Sequence, residues 1–170
     1  MATLDATVAG ALANSYLTVE EADSFATVDI GPGAARWLAA STDDKERALI
    51  QATLDVDDRF GANVLWLSTQ RLQFPRLVDV SADVPFIPDA IRRTTYKQAM
   101  FRLVNAQQLA DAESRRARGL ISFSDQDGGG TLAPDSTDLR FASDALGILD
   151  QFQGQGSSRA IYSVRLTRWP

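Results

Sequence analysis

The sequence of 170 residues contains no cysteine and no histidine. Without cysteine the chain has no disulfide and no thiolate nucleophile, and without histidine it lacks the side chain that most often transfers protons or binds metals near neutral pH. It also has no phosphate-binding Gly-Lys loop, no nucleophile elbow and no dinucleotide-binding glycine motif. These absences predict a protein that is not an enzyme and that carries no cofactor.

Long apolar runs are missing too, and the composition is that of an ordinary globular domain. Hydrophobic residues make up 45% of the chain and charged residues 23%, and no stretch approaches the roughly 18 apolar residues that span a bilayer. We therefore expect one main domain and no membrane segment. Residues 1–13 are small and apolar but include Asp5 where a signal peptide carries a base, so we interpret them as a flexible N-terminal arm.

Capping signals and apolar periodicity predict a mainly α-helical fold. Thr18 followed by Glu21 is a capping box, which predicts a helix over 19–27. Further helices are predicted over 34–40, from a cap at 41–44 to about 60, from Asp89 to about 113, and from a cap at 135–136 to about 152. The expected fold is a small bundle of four to five helices with a long central helix at Asp89. Residues 61–88 are expected to form an irregular segment packed over the helices.

The chain changes character after the long helix. Residues 120–124 alternate in polarity as a strand does, so 119–134 are expected to form an extended loop or hairpin. Residues 154–158 read as a flexible linker, and residues 160–169 have the composition of a strand. A lone strand needs backbone partners, which another chain or residues 120–124 would supply. The predicted organisation is a helical domain over 14–153 and a linker with a docking strand over 154–170.

Charge along the chain alternates in blocks around a net charge of −5. Residues 1–60 hold eleven acids and four bases, whereas residues 89–118 hold seven bases and three acids. Such blocks predict separate acidic and basic surfaces that suit contact with other copies or with a charged partner, although a solvated face is the commoner explanation of any single block. The bases Arg92, Arg93, Lys97, Arg102, Arg115, Arg116 and Arg118 also allow single-stranded DNA binding. Against this, only Tyr96 and Phe101 lie near them as stacking partners, and the chain is acidic.

Phe101 is an apolar residue of the long helix that lies outside the stripe predicted to face the core. It lies nearly opposite Ala99 and Leu103 on a helical wheel, among polar positions. We expect Phe101, with Arg93 and Lys97, to face an acidic surface of a neighbouring subunit. The alternative is that Phe101 contacts another segment of its own chain.

Two acidic clusters resemble metal sites only in part. Residues 125–130 match the first half of a calcium loop, but Gly129 stands at the fifth ligand position and Ser136 stands where the bidentate glutamate belongs. Asp55, Asp57 and Asp58 fan around a helix, so we expect a solvated acidic surface there. No metal is therefore expected.

Four motifs, in order, resemble one family of proteins. They are NSYLTVEEAD at 14–23, KERALIQAT at 45–53, QRLQFPR at 70–76, and Ile87-Pro88 before the long helix. Together they resemble the head-tail connector, or head-completion adaptor, proteins of tailed bacteriophages, some of which are labelled DnaT-like single-stranded-DNA-binding proteins. The resemblance covers about residues 14–110, and Phe74 stands where the family often has tryptophan.

The resemblance implies a subunit of the virion, made in the host cytoplasm and placed at the junction of capsid and tail. Its copies would form a twelvefold ring that docks on the portal protein, receives a tail or stopper protein, and lets duplex DNA pass through its channel without specific contact. On this interpretation the docking strand augments the portal or a neighbouring subunit through Ile161, Tyr162, Val164, Leu166 and Trp169. The alternative function is that of a DnaT-like single-stranded-DNA-binding protein.

Overall fold

The structure is a computed structural model that describes residues 3–60, 65–77, 79–81, 84–106, 122–125, 128–131 and 141–157. These residues form five helices and two short hairpins, which confirms the mainly α-helical fold. The helices are α1 Val19–Val28, α2 Pro32–Ala39, α3 Thr42–Phe60, α4 Asp89–Val104 and α5 Ser143–Ser157. The strands are β1 Val80–Ser81, β2 Val84–Pro85, β3 Ser122–Asp125 and β4 Gly128–Thr131. None of the helices in these ranges has the length and hydrophobicity needed to cross a membrane.

Local sequence determines where the first three helices begin. The Thr18 hydroxyl accepts from Glu21 N at 3.2 Å and the Glu21 carboxylate accepts from Thr18 N at 3.0 Å, so the predicted capping box is present. Pro32 is the first residue of α2, where its missing N–H has no helical partner to lose. The Ser41 hydroxyl accepts from Asp44 N at 3.2 Å and caps α3.

The two later helices differ from their predicted bounds. α4 ends at Val104 with Asn105 as its C-cap, so the prediction of one continuous helix to about residue 113 was wrong at Asn105. Residues 107–113 lie outside the described residues. With 16 residues α4 is shorter than α3, which has 19. α5 begins at Ser143 and continues through Gly154 and Gly156 to Ser157, where a linker was expected. That expectation was wrong over 154–157, because glycine lowers helix propensity by about 1 kcal/mol per residue without forbidding the helix.

Two apolar clusters form the core, and α4 contributes to both. The first core joins α1, α2, α3 and α4, and its buried members are Leu17, Ala22, Ala26, Trp37, Ala48, Leu49, Ala52, Tyr96 and Ala99. The second core joins the N-terminal segment, α3, the loop over 70–76, α4 and α5, and its buried members are Ala13, Tyr16, Val56, Leu72, Phe74, Ile91 and Leu149. Burial of these side chains is the main stabilising term of the bundle.

The N-terminal segment from Thr3 onward is attached to the body, where a flexible arm was expected. Asn14 N and Ser15 N both donate to Asp5 O, at 2.8 and 3.1 Å, and the Asn14 side chain accepts from Asp5 N at 2.8 Å. Ala13 is buried in the second core. The side chain of Asn14 therefore closes the segment into a turn that a composition-based interpretation could not detect.

The connection between α3 and α4 is irregular where it is described, as predicted. Leu65 and Arg76 form an isolated antiparallel bridge, the Phe74–Pro75 peptide is cis, and β1 pairs antiparallel with β2. Further along, β3 pairs antiparallel with β4, with Asp125 opposite Gly128, so the hairpin extension is present. The predicted docking strand over 160–169 lies outside the described residues.

Candidate functional site

The two most distinctive sequence motifs meet each other in the fold. The Tyr16 hydroxyl donates to one carboxylate oxygen of Asp57, and the other oxygen accepts from Gln73 N at 3.3 Å. The same hydroxyl accepts from Phe74 N at 3.1 Å, and the rings of Tyr16 and Phe74 pack edge to face at 5.8 Å. We call Tyr16, Asp57, Gln73 and Phe74 the motif network. It joins the N-terminal segment and α3 to the loop over 70–76.

The buried side chain of Gln70 fixes the conformation of that loop by hydrogen bonds to its backbone. Its side-chain amide donates to Leu72 O at 2.8 Å and to Pro75 O at 2.9 Å, and its carbonyl accepts from Leu67 N at 3.0 Å. The Gln70 side chain is buried, so these bonds satisfy groups that water cannot reach. The motif at 70–76 therefore specifies a backbone shape.

Burial dominates the electrostatics of the motif network. It raises the pKa of Asp57 to about 6, against the hydrogen bonds from Tyr16 and Gln73 that lower it. Burial, followed by the charge of Asp57, also raises the pKa of the Tyr16 hydroxyl. Because both oxygens of Asp57 already accept hydrogen bonds within the chain, we assign this carboxylate a structural role.

The prediction of a solvated acidic surface at Asp55, Asp57 and Asp58 was wrong for the first two residues. The Asp55 side chain is only 13% exposed, and it accepts from Gln98 Nε2 at 2.6 Å and pairs with Arg102. Asp57 belongs to the motif network, and Asp58 alone is exposed. The physical reason is that α4 and the loop over 70–76 cover this side of α3. Among the described residues no group of three acids is arranged to hold a metal ion.

Each lysine and arginine of α4 forms an ion pair with an acid of the same chain. The pairs are Arg92 with Glu21 at 2.5 Å, Arg93 with Asp89 at 2.8 Å, Lys97 with Asp29 at 2.9 Å and with Asp144 at 3.9 Å, and Arg102 with Asp55. A cation already paired with a carboxylate attracts a phosphate far less than a solvated one does. The basic stretch predicted from the sequence is therefore neutralised over its described part, and Arg115, Arg116 and Arg118 lie outside that part.

Arg36 and Arg71 are the exceptions in the part of the chain that the structure describes. Both are exposed, and neither forms an ion pair with another described residue. The remaining described lysines and arginines each have an acidic partner within 4.0 Å. Arg36 lies on the outer face of α2, and Arg71 lies in the loop next to Gly10.

A groove of about 250 Å³ opens between the start of α2, the second half of α4 and the start of α5. We call it the α4 groove. Its apolar lining includes Met100, Phe101 and Val104, and its polar lining is Lys97, Asn105, Ser143 and Asp144. A Cβ atom at Gly33 would stand 2.7 Å from Met100 Sδ, so the glycine allows α2 to approach α4 closely.

One cation, Lys97, and one carboxylate, Asp144, line the α4 groove, and Asp29, which is not part of the lining, also binds Lys97. Lys97 Nζ lies 2.9 Å from Asp29 Oδ2 and 3.9 Å from Asp144 Oδ2. Burial by itself would raise the pKa of Asp29, but the Lys97 ammonium, the Gly31 N–H and the Tyr96 hydroxyl together hold that pKa below its ordinary value. Two carboxylates therefore share the single ammonium of this region.

This geometry changes the interpretation of the three residues predicted at a subunit interface. Phe101 is half-buried and lines the groove of its own chain, and Lys97 is paired with two acids. Arg93 is exposed and paired with Asp89. Their assignment to a subunit interface stays a prediction, but the surface that they form is not the basic one that the sequence indicated.

Gln98 is the polar residue whose role the sequence analysis missed. It is fully buried, it donates to Asp55, and its carbonyl accepts from Ala142 N at 2.9 Å, so it connects α3, α4 and the start of α5. Its place beside Ile91 and Thr95 on the helical wheel was the available signal, because a glutamine next to a buried stripe needs partners inside the protein.

The fold and these surfaces define a small helical domain with a sealed polar network, mostly paired cations and an open groove beside which two carboxylates share one ammonium. A family profile described as "Putative DnaT-like ssDNA binding protein" matches residues 3–126, and the chain belongs to this family. The match contains α1 to α4, ends after β3 and leaves out α5. The description names single-stranded DNA binding and does not mention a bacteriophage connector. No curated protein and no solved structure matches the sequence.

Proposed function

We propose that the protein is a structural assembly subunit of the head-tail connector type, which contacts copies of itself, a portal protein, and a tail or stopper protein. The observation that carries this proposal is the pairing of the α4 cations with acids of the same chain. A helix whose charges are already compensated can pack against another protein at a smaller electrostatic cost than a helix with unpaired charges, and it offers little to a phosphate backbone.

Exposed apolar side chains give this proposal further support. Leu77, Val84 and Phe86 are all exposed and lie on or next to the β1–β2 hairpin, which Phe86 N closes by donating to Asp79 O at 3.1 Å. Exposed apolar residues grouped on one short element are typical of surfaces that contact other proteins. The net charge of −5 also suits a channel wall, because it repels the phosphates of passing duplex DNA.

Binding to the capsid vertex tests the proposal directly. The proposal implies a tailed bacteriophage that encodes this chain. Tail-free capsids of that phage that keep their portal should retain the purified protein in a sedimentation assay. Capsids lacking the portal serve as the control and should retain none. Equal retention by both, or by neither, would contradict the connector function.

The C-terminal docking strand is a separate part of this proposal. A chain ending at Ser157 keeps all five described helices but loses Ile161, Tyr162, Val164, Leu166 and Trp169. We expect this truncated chain to give an unchanged circular dichroism spectrum and to bind the portal-containing capsids much more weakly. Undiminished binding would remove the role assigned to residues 158–170.

Single-stranded DNA binding is the second candidate, and the family description favours it more directly than the first. A gel-shift assay with oligo(dT) at low and at physiological salt separates the two. The assembly function predicts no shift even at low salt. A shift that weakens steeply with salt, and that is lost when Arg115, Arg116 and Arg118 are replaced by glutamine, would establish DNA binding instead.

A further inference from the structure

We propose that copies of the chain associate head to tail, with the outer face of α2 of one copy docked in the α4 groove of the next. The inference rests on the proposed function, since it names the surfaces through which subunits of such an assembly meet. The occupant of the groove is thus a second copy of this chain, and the evidence for it is complementarity of charge and of apolar surface.

The outer face of α2 is a small apolar surface with one cation. Ala35, Arg36, Leu38 and Ala39 are exposed, and Leu38 keeps 45% of its surface accessible. Arg36 forms no ion pair with any described residue, so its charge is available to a partner. Arg36 and Leu38 lie on opposite flanks of the face that Ala35 and Ala39 form. Arginine is enriched among the residues that anchor interfaces, and Leu38 with the two alanines adds apolar area around it.

The inner face of α2 holds the helix in place. Trp37 is fully buried in the first core and donates from its indole nitrogen to Asp23 Oδ1 at 2.8 Å. Lys45 pairs with the same Asp23 at 2.9 Å and lies 5.9 Å from the centre of the Trp37 ring. The outer face is therefore presented on an anchored helix, which lowers the entropy lost on docking.

The α4 groove has the matching properties. Met100, Phe101 and Val104 supply apolar lining that can cover Leu38. The Asp144 side chain is 70% exposed and lies 3.9 Å from Lys97, which is bound more closely, at 2.9 Å, by Asp29. Asp144 is therefore the carboxylate with charge to spare, and Arg36 is a cation of complementary charge.

These two surfaces are different patches of one chain. Gly31 and Gly33 line the groove at the start of α2, whereas Arg36 and Leu38 lie on the outer face of the helix. Contact between two unlike patches is heterologous, and repetition of such a contact produces a ring or a filament. This is the symmetry that a ring-shaped connector needs.

Charge reversal tests the contact. Sedimentation equilibrium of the full chain at low salt should show self-association, and Arg36→Glu and Asp144→Lys should each weaken it roughly tenfold or more because like charges then face each other. An equimolar mixture of the two variants should restore association to within about threefold of the original, since every interface in an alternating assembly again joins opposite charges.

Arg71→Glu is the matched control, because Arg71 is exposed, has no ion pair among the described residues, and lies away from both surfaces. It should associate as the original chain does, and circular dichroism should show all three variants folded. The inference is overturned if the original chain stays monomeric at every concentration, if either reversal has no effect, or if the mixture is not restored. The number of chains bound per portal-containing capsid separates this contact from the proposed function. If the Arg36→Glu and Asp144→Lys chains each bind in the same number as the original chain, this contact is refuted and the proposed function stands.

Discussion

The motif network and the α4 groove use polar groups in opposite ways. In the motif network the carboxylate of Asp57 and the hydroxyl of Tyr16 are saturated by partners from three parts of the chain. In the groove, one ammonium is shared between Asp29 and Asp144, and the Asp144 carboxylate remains mostly exposed beside an apolar lining. The two regions differ in how much of their bonding capacity is left for another molecule.

This difference suggests a division of roles: the motif network stabilises the fold, and the α4 groove is available for binding. The sequence motif at 70–76 belongs to the motif network. There, removing any partner of a buried polar group lowers the free energy of unfolding. The groove lies beside α5, which the family match leaves out, and its groups can gain contacts without losing internal ones. A motif that identifies a family is therefore not necessarily the part of the protein that meets a partner.

Replacing a phenylalanine by alanine should affect the free energy of unfolding very differently in the two regions, and this is the largest difference we expect. Phe74 is buried, packs on Tyr16 and lies under the Arg76 guanidinium at 4.8 Å, so Phe74→Ala should lower the free energy of unfolding by about 3–5 kcal/mol. Phe101 lies in an open groove that leaves no closed cavity on truncation, so Phe101→Ala should cost about 1–2 kcal/mol. Urea denaturation measures both losses. Equal losses would contradict the distinction between a tightly packed motif network and an open α4 groove.

The two regions should also respond to pH with opposite sign. Asp57 has a pKa near 3.8 in the unfolded chain and about 6 in the folded one, so the folded chain binds more protons between these values. Its contribution to stability is complete below about pH 4, falls by up to about 3 kcal/mol as the pH rises to about 6, and is constant above. The pKa of Asp29 is lowered by folding, so its contribution is present above about pH 4 and is lost as the pH falls.

Matched asparagine variants isolate the two contributions. The difference in unfolding free energy between the original chain and Asp57→Asn should decrease from pH 4 to pH 6, because only the original chain titrates there. For Asp29→Asn the corresponding difference should decrease when the pH is lowered below about 4. Urea denaturation at several pH values gives both slopes. Slopes of the same sign would mean that burial does not dominate at Asp57.

Removing a single tyrosine hydroxyl from each region should give a smaller difference in the free energy of unfolding. Tyr16→Phe removes the donor to one oxygen of the buried Asp57 carboxylate and an acceptor of Phe74 N, so it should cost about 1–3 kcal/mol. Tyr96→Phe removes a hydroxyl that donates to Asp29 at 3.1 Å, but Lys97 and Gly31 N still bind that carboxylate, so the loss should be about 0.5–1.5 kcal/mol. A larger loss at Tyr96 would show that the groove side is the more tightly coupled region.

Much of the helical architecture was predictable because its signals are local. The capping box at Thr18 placed the start of α1 at its observed residue, and caps near Ser41 placed α3 within one residue of its start. The predicted cap at 135–136 lies outside the described residues. Residues 141–142 are not helical and α5 begins at Ser143, so the prediction of one continuous helix from this cap to about 152 was wrong at 141–142. The last turn of α5 contains two glycines, which local rules treat as a break.

The candidate site was less predictable, because its interactions are distant in sequence. Lys97 pairs with Asp29 across 68 residues and Arg102 with Asp55 across 47. Periodicity within one helix identifies a basic face but says nothing about acids brought to it by other elements. The sequence therefore indicated the cations of α4 and missed their neutralisation, and for the same reason it placed Asp55 on a solvated surface.

Arg93 offers the smallest expected change in stability and hence a clean test of the predicted interface. Its pair with Asp89 lies at 2.8 Å with both side chains about 60% exposed, and exposed pairs one helical turn apart contribute about 0.5 kcal/mol or less. Arg93→Ala should therefore leave the urea midpoint almost unchanged. Any loss of self-association in this variant would then report a contact made by Arg93 to another copy, with Arg47→Ala, which removes a comparable exposed pair with Asp44, as the control. Unchanged association in both variants would remove Arg93 from the interface and leave the α4 groove as the part of this surface that binds a neighbour.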